Sequence, residues 1–265
     1  MSTSYHDIVY EVRHHAVHIT INRPEVYNAF RSQTLEELIH ALHRADEESS
    51  VNVMVLAGAG DKAFCTGGDQ KVHLSEDGLY GPRGTLGMPI EEMQSALRDL
   101  RKVSIARVQG FAIGGGNVFA TICDLTIASE KATFGQVGPK VGSVDPGWGT
   151  AYLSRIVGEK KAREIWFLCR RYSAAEAAAM GLVNKVVAHD QLDAEGDQWC
   201  AEINQLSPTA LTIAKRSFNA DSESIRGISY QGMQTLKLYY GTEESKEGVR
   251  AFNERRKPDF KKFAT

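Results

Sequence analysis

Short apolar runs that read as strands alternate with helical stretches along most of this chain, and that alternation confines it to an α/β architecture. Residues 16–22 (AVHITIN) read as a strand and residues 34–48 as an amphipathic helix. Residues 51–56 (VNVMVL) form the next strand, which runs into Ala57-Gly58-Ala59-Gly60. Residues 103–108 and 125–128 are further apolar runs between helical stretches, so a parallel or mixed sheet is predicted.

The pattern then changes. Ser173 with Glu176 makes a capping box for the helix AAEAAAM, and Ser207 with Pro208 starts another helix through about Phe218. No convincing strand follows residue 200. The expected organisation is an α/β body over residues 1–200 and a helical extension over 201–265, with no internal repeat. The segment 70–89 (QKVHLSEDGLYGPRGTLGMP) is glycine-rich and long for a connection within a compact domain, which fits either a substrate loop or lid, or a surface insertion without a role.

Composition narrows the partners. With 265 residues and 42% hydrophobic content the chain can bury a full core. Its 31 lysines and arginines stand against 33 acids, which argues against a nucleic-acid surface and points to a small-molecule partner. Retention on heparin or RNA is the simple check of a binding or scaffold alternative. Cys65, Cys123, Cys169 and Cys200 show neither a disulfide framework nor metal-ligand spacing, so no metal is expected. No basic, apolar leader opens the chain and no apolar run is long enough to span a bilayer, so the expected location is the cytoplasm.

Two glycine motifs carry the chemistry. Ala63-Phe64-Cys65-Thr66-Gly67-Gly68-Asp69 places a glycine pair just beyond a strand, where backbone N–H groups can approach a ligand. Gly110-Phe111-Ala112-Ile113-Gly114-Gly115-Gly116-Asn117 places three glycines before a helical run, whose N-terminal amides can face an anion. Either loop alone is explained by tight-turn packing. Together, two such loops can form an oxyanion hole.

The pair, followed by Cys123-Asp124-Leu125-Thr126-Ile127-Ala128 and Phe134-Gly135-Gln136, resembles the crotonase (enoyl-CoA hydratase/isomerase) superfamily over nearly the whole chain. The resemblance implies a spiral of ββα units, a C-terminal extension that mediates trimer formation, and trimers that commonly stack into hexamers. It also implies that the Gly68 and Gly115 amides bind a thioester oxygen. Hydratases of this superfamily carry one glutamate two residues after the triple glycine and another three residues after the later Phe-Gly. This chain has Val118 and Gly138 there, so water addition across a double bond by that route is not expected.

In their place stands Gly135-Gln136-Val137-Gly138-Pro139-Lys140-Val141-Gly142-Ser143-Val144-Asp145-Pro146-Gly147. Ser143 and Asp145 are two residues apart, and an extended backbone aims both to one side. Asp145 is the best base candidate, its rival account being a turn-forming aspartate before Pro146-Gly147. This region resembles the subgroup that makes or breaks a carbon–carbon bond beside a CoA thioester: the ring-opening 2-ketocyclohexanecarboxyl-CoA hydrolases and the ring-closing 1,4-dihydroxy-2-naphthoyl-CoA synthases. Asn117, where the synthases tend to have histidine, Pro146, where they tend to have glycine, and Arg83-Gly84-Thr85 ahead of Gly87-Met88-Pro89-Ile90-Glu91-Glu92 resemble the ring-opening branch.

The resemblance further implies a role for Tyr240, matching a tyrosine that reaches the site in the synthases, and Tyr80, from its place in the 70–89 loop, is expected to close over the ring; aromatic packing is the rival account of both. Gln136, Gly138 and Trp166 match residues that bind bicarbonate in some synthases, although Trp166 is as easily a core residue. No cofactor is expected beyond the CoA of the substrate. For that CoA the resemblance implies Tyr27 and Ala29 in the adenine-contacting turn, Thr66, Gly67, Asp69, Gln70 and Lys71 along the pantetheine, and Phe252, Arg255 and Lys257 in the tail, where basic residues are more often merely solvated.

Overall fold

The computed structural model describes residues 4–75 and 79–264, so residues 76–78 of the expected loop 70–89 lie outside the described residues. The chain opens on a hairpin, β1 (Ile8–Arg13) and β2 (Ala16–Ile21), paired antiparallel from Ile8↔Ile21 to Arg13↔Ala16. Its turn is His14-His15, both at positive φ (47° and 64°), the geometry that a two-residue hairpin requires. α1 (Ser32–Glu47) follows, then β3 (Val53–Gly58). Leu35, Leu38, Leu42 and Ala45 form the buried face of α1, and full burial of each leucine contributes about 1.5–3 kcal/mol.

From β3 onward one unit repeats. β3 is followed by β4 (Ala63–Cys65), α2 (Gln70–Ser75) and α3 (Ile90–Asp99); β5 (Val103–Val108) by β6 (Phe111–Ile113) and α4 (Gly115–Ile122); β7 (Leu125–Ser129) by β8 (Thr133–Gly135). The first strand of each unit joins one sheet and the second joins another. The six-stranded sheet has the order β1-β2-β3-β5-β7-β10 and the four-stranded sheet β4-β6-β8-β9. Every pairing from β2 to β10 in the larger sheet is parallel, as are β4 with β6 and β6 with β8. This is the spiral of ββα units that the resemblance implies.

After β8 the chain makes a π-helical turn, Trp148–Tyr152, then α5 (Leu153–Val157), α6 (Glu159–Leu168), β9 (Tyr172–Ser173), α7 (Ala174–Ala179) and β10 (Lys185–Val187). The predicted capping box is present, with Glu176 N–H donating to Ser173 Oγ. α8 (Leu192–Asn204), α9 (Pro208–Asp221), α10 (Ser224–Tyr240) and α11 (Glu243–Asn253) complete the fold, so residue 200 falls inside α8 and the extension proper begins with α9. Ser207 caps α9 by accepting from Ala210 N–H, as the Ser-Pro pair predicts.

The central strands of the larger sheet, β2, β3, β5 and β7, are buried on both faces, which is why they read as nearly continuous apolar runs. Met54, Leu56, Ala106 and Val108 turn into the main core, while Val53, Val55, Ile105 and Ile127 turn the other way, under Leu192 and Cys200 of α8. All four cysteines are free and buried. Among the described residues no helix is long and apolar enough to cross a membrane, and no group of three or more His, Cys, Asp or Glu is placed to share a metal ion.

Candidate active site

β4 and β6 are parallel neighbours, so the loops leaving their C-terminal ends lie side by side. Gly67 sits at φ +90°, and a Cβ there would come within 3.0 Å of Gly115 N. Phe30 N–H donates to Gly67 O and Asp69 N–H to Phe30 O, both at 2.9 Å, which fixes the backbone on either side of Gly68. Gly114, at φ +57°, turns the second loop into α4, where Gly115 is the first residue and its N–H has no intrahelical acceptor. A side chain at Gly115 would strike the Phe30 ring. Among the described residues no acceptor is paired with the Gly68 or Gly115 N–H, and both glycines line one cavity of about 80 Å³.

The opposite wall is the segment 141–147. Asp145 is held at both oxygens: Gly149 N–H donates to Oδ1 at 2.8 Å and Gln94 Nε2–H to Oδ2 at 2.9 Å. Trp166 Nε1–H donates to Gly149 O, so the Gly149 peptide joins the indole to the carboxylate. Burial, opposed by these two donors and reinforced by the charge of Glu91, pushes the Asp145 acid up to about 6. Asp145 keeps partial exposure at the cavity, and it is the one carboxylate among the described residues that line it. Ser143 and Tyr240 hydroxyls pair at 2.7 Å, and burial pushes the Tyr240 phenol up to about 12.

The loop over the site comes from the predicted 70–89 segment: Tyr80, Leu86 and Met88 are buried and line the cavity. Tyr80 lies directly over Gly68, where a Cβ would meet its hydroxyl, and accepts from Gln70 Nε2 at 3.2 Å. Burial raises its phenol well above the usual value. The His73 ring lies between Tyr80, stacked at 4.6 Å, and Tyr240, tilted at 4.5 Å.

The structure therefore brings Gly68, Gly115, Ser143, Asp145, Tyr240, Tyr80, Thr66, Gly67, Gln70, Gln136, Gly138 and Trp166 to one cavity. It does not bring all the expected CoA residues there. Tyr27 and Phe252 are exposed, as are Lys71, Arg255 and Lys257, and Ala29 is buried in the turn before Phe30. The Tyr27 ring neighbours Phe111 at 6.3 Å. Asp69 is committed to structure: its carboxylate accepts from Arg23 at 3.1 Å and from Lys71 N–H at 3.1 Å.

The three residues matched to a bicarbonate site line this cavity but differ in what they offer it. Trp166 has its only N–H on Gly149 O, whereas Gln136, 1% exposed, keeps Nε2 without an acceptor among the described residues. Gly138 is a steric requirement, since a Cβ would collide with Ser143 O and come within 2.9 Å of the Trp166 ring. A glutamate cannot occupy that position without moving the wall that carries Asp145.

Sequence reasoning missed Gln94, Glu91 and Arg23. The signal for the first two was present: both are polar, one turn apart, in a helix whose Ile90, Met93 and Leu97 are buried. A larger concavity, about 800 Å³, lies away from this site between α9 and the body, and its acids Asp124 and Asp221 are paired with Lys215 at 2.7 Å and Arg155 at 2.6 Å. It offers no convergent backbone donors comparable to Gly68 and Gly115.

Comparison with known proteins agrees with this fold. The profile of the enoyl-CoA hydratase/isomerase family matches residues 11–263. A solved enoyl-CoA hydratase from Mycobacterium avium subsp. paratuberculosis K-10 is 27% identical with a TM-score of 0.84, over 97% of this chain and 99% of that one. An enoyl-CoA hydratase/isomerase from Xanthobacter autotrophicus Py2 is 30% identical with a TM-score of 0.82, over 96% and 98%. A carnitinyl-CoA dehydratase from Mycobacterium avium 104 is 29% identical with a TM-score of 0.82, over 93% and 96%. With the family profile covering nearly its whole length, the chain belongs to the enoyl-CoA hydratase/isomerase family, the crotonase superfamily.

Proposed function

We propose that this enzyme opens the ring of a 2-oxocycloalkane-carboxyl-CoA by adding water, with 2-oxocyclohexane-carboxyl-CoA giving pimeloyl-CoA. The observation that carries the reading is a single carboxylate, Asp145, facing two unpaired amides across one cavity. Hydration by paired glutamates needs two carboxylates, and the matching positions here are Val118, wholly buried, and the sterically closed Gly138.

In the proposed reaction ionised Asp145 takes a proton from water as the oxygen adds to the ring ketone. The alkoxide so formed lies near the Ser143–Tyr240 hydroxyl pair. Its collapse breaks the bond to the thioester α-carbon, and the electron pair passes into a thioester enolate held by Gly68 and Gly115. Asp145 returns its proton to the α-carbon, so one water is consumed and the ionised carboxylate is regenerated. Donors set in place before charge develops on the thioester oxygen supply the stabilisation. No step uses bicarbonate, because Trp166 donates within the protein. The CoA chain is proposed to leave the cavity past Thr66 and Gln70 toward Tyr27, with Lys71, Phe252 and Arg255 at its outer end. Trimers or dimers of trimers are the proposed assembly.

A single turnover of 2-oxocyclohexane-carboxyl-CoA in oxygen-labelled water tests this. Label in the new carboxylate of the product is expected. Unlabelled product would assign Asp145 as a covalent nucleophile, and unchanged substrate would overturn ring opening in favour of the synthase-type ring closure, with succinylbenzoyl-CoA as the compound to test.

A further inference from the structure

α3 carries Glu91, Gln94 and Arg98 at spacings of three and four residues, on one face of the helix. All three are buried, at 7%, 0% and 5% exposure, against the turn that follows Asp145. Gln94 reaches Asp145 Oδ2; one turn on, Arg98 donates to Tyr152 Oη at 2.6 Å and to Ser222 Oγ, with its guanidinium over the Trp148 and Tyr152 rings at 5.6 and 4.5 Å. Asp145, Trp148 and Tyr152 are thus met in register by successive turns of one helix. The arrangement is poor packing chemistry. Glu91 Oε1 and Gln94 Oε1 are buried without a donor among the described residues, and each such group costs about 1–3 kcal/mol that an apolar residue would not. Arg98 is paired with hydroxyls and aromatic faces.

We infer that this buried polar stripe is a positioning device for the Asp145 carboxylate, with Gln94 fixing its orientation and Arg98 locking the turn behind it. The inference rests on Asp145 being the base. The groups facing Asp145 are Gln94 and Glu91 from α3, the Gly149 amide, and the Tyr240 phenol from α10, which senses the Asp145 charge in turn. Gln94 stabilises the ionised carboxylate by donating to it, whereas Glu91 opposes its charge. Their removal therefore has opposite signs. Gln94→Met raises the midpoint of Asp145 ionisation and Glu91→Gln lowers it, each by about one pH unit.

The experiment is a carboxyl titration of carbon-13-aspartate-labelled protein by NMR, with Asp145→Asn assigning the signal, alongside kcat and KM for ring opening. The expected result is midpoints displaced upward in Gln94→Met and downward in Glu91→Gln, with kcat of Gln94→Met reduced on the order of 100-fold and KM nearly unchanged. Both substitutions preserve side-chain volume, so the fold is retained. Midpoints that stay in place or move together overturn the inference. Full ring-opening activity in Asp145→Asn overturns instead the assignment of Asp145 as base, while displaced midpoints in the same series leave the hold of α3 on it standing.

Discussion

At the scale of single residues, the site depends on groups that are missing as much as on groups that are present. Gly68 has no side chain to obstruct the amide or the Tyr80 hydroxyl above it, so Gly68→Ala is expected to lower kcat about 100- to 1000-fold in steady-state assays, with the fold unchanged by circular dichroism. As the proposed base Asp145 must be ionised, so activity should fall as pH drops through about 6. The same elevation has a cost in stability. The native state binds this proton more tightly than the unfolded chain, whose carboxyl keeps 3.8, so native stability declines as pH rises from 3.8 to about 6. Asp145→Asn should therefore raise stability by about 3 kcal/mol at pH 8 and leave it unchanged below pH 3.8, as read by chemical denaturation at both values. That Gly68, Gly115, Ser143 and Asp145 share one cavity was legible in the sequence, the glycines from the motifs of the family and Ser143 and Asp145 from their spacing in the segment that follows. Gln94 was visible only as a polar residue on the apolar face of a helix, since a neutral amide does not say what it touches until the structure shows it.

At the scale of elements, α11 supports the site from behind. Ser245 Oγ donates to Gly142 O at 2.7 Å, Asn253 Nδ2 donates to Gln70 O at 3.2 Å, and Gly248 leaves no room for a Cβ against Val141 and Gly142. One helix thus braces both the Asp145 wall and the start of α2. Gly248→Val is expected to push segment 141–145 out of register and abolish most activity, while Ser245→Ala, which strips the donor from Gly142 O, should cost about 1–3 kcal/mol in a urea melt and less in activity. The long strands and the capped helices were readable from periodicity and cap residues. β4, β6 and β8 were not, since three residues cannot display a period, and β1 was missed because its turn is His14-His15 where asparagine or glycine is the usual signal.

At the scale of the whole molecule, the α/β body and helical extension follow from the sequence pattern, but the division into two sheets does not: each unit sends a long strand to one sheet and a short one to the other, and only the long one is long enough to show a pattern. The C-terminal helices leave large apolar side chains on the surface, among them Ile213 at 65%, Phe218 at 76% and Leu238 at 78% exposure. Apolar surface of this kind is covered by self-association in the proposed trimer. Sedimentation velocity should show a trimer or hexamer for the native chain and a smaller species for Phe218→Glu combined with Leu238→Glu. The central claim, that one carboxylate and two amides open a cyclic β-keto thioester with water, is tested most directly by mass spectrometry of the products formed from 2-oxocyclohexane-carboxyl-CoA. Pimeloyl-CoA from the native enzyme and none from Asp145→Asn is the predicted result; pimeloyl-CoA from both, or from neither, would contradict it.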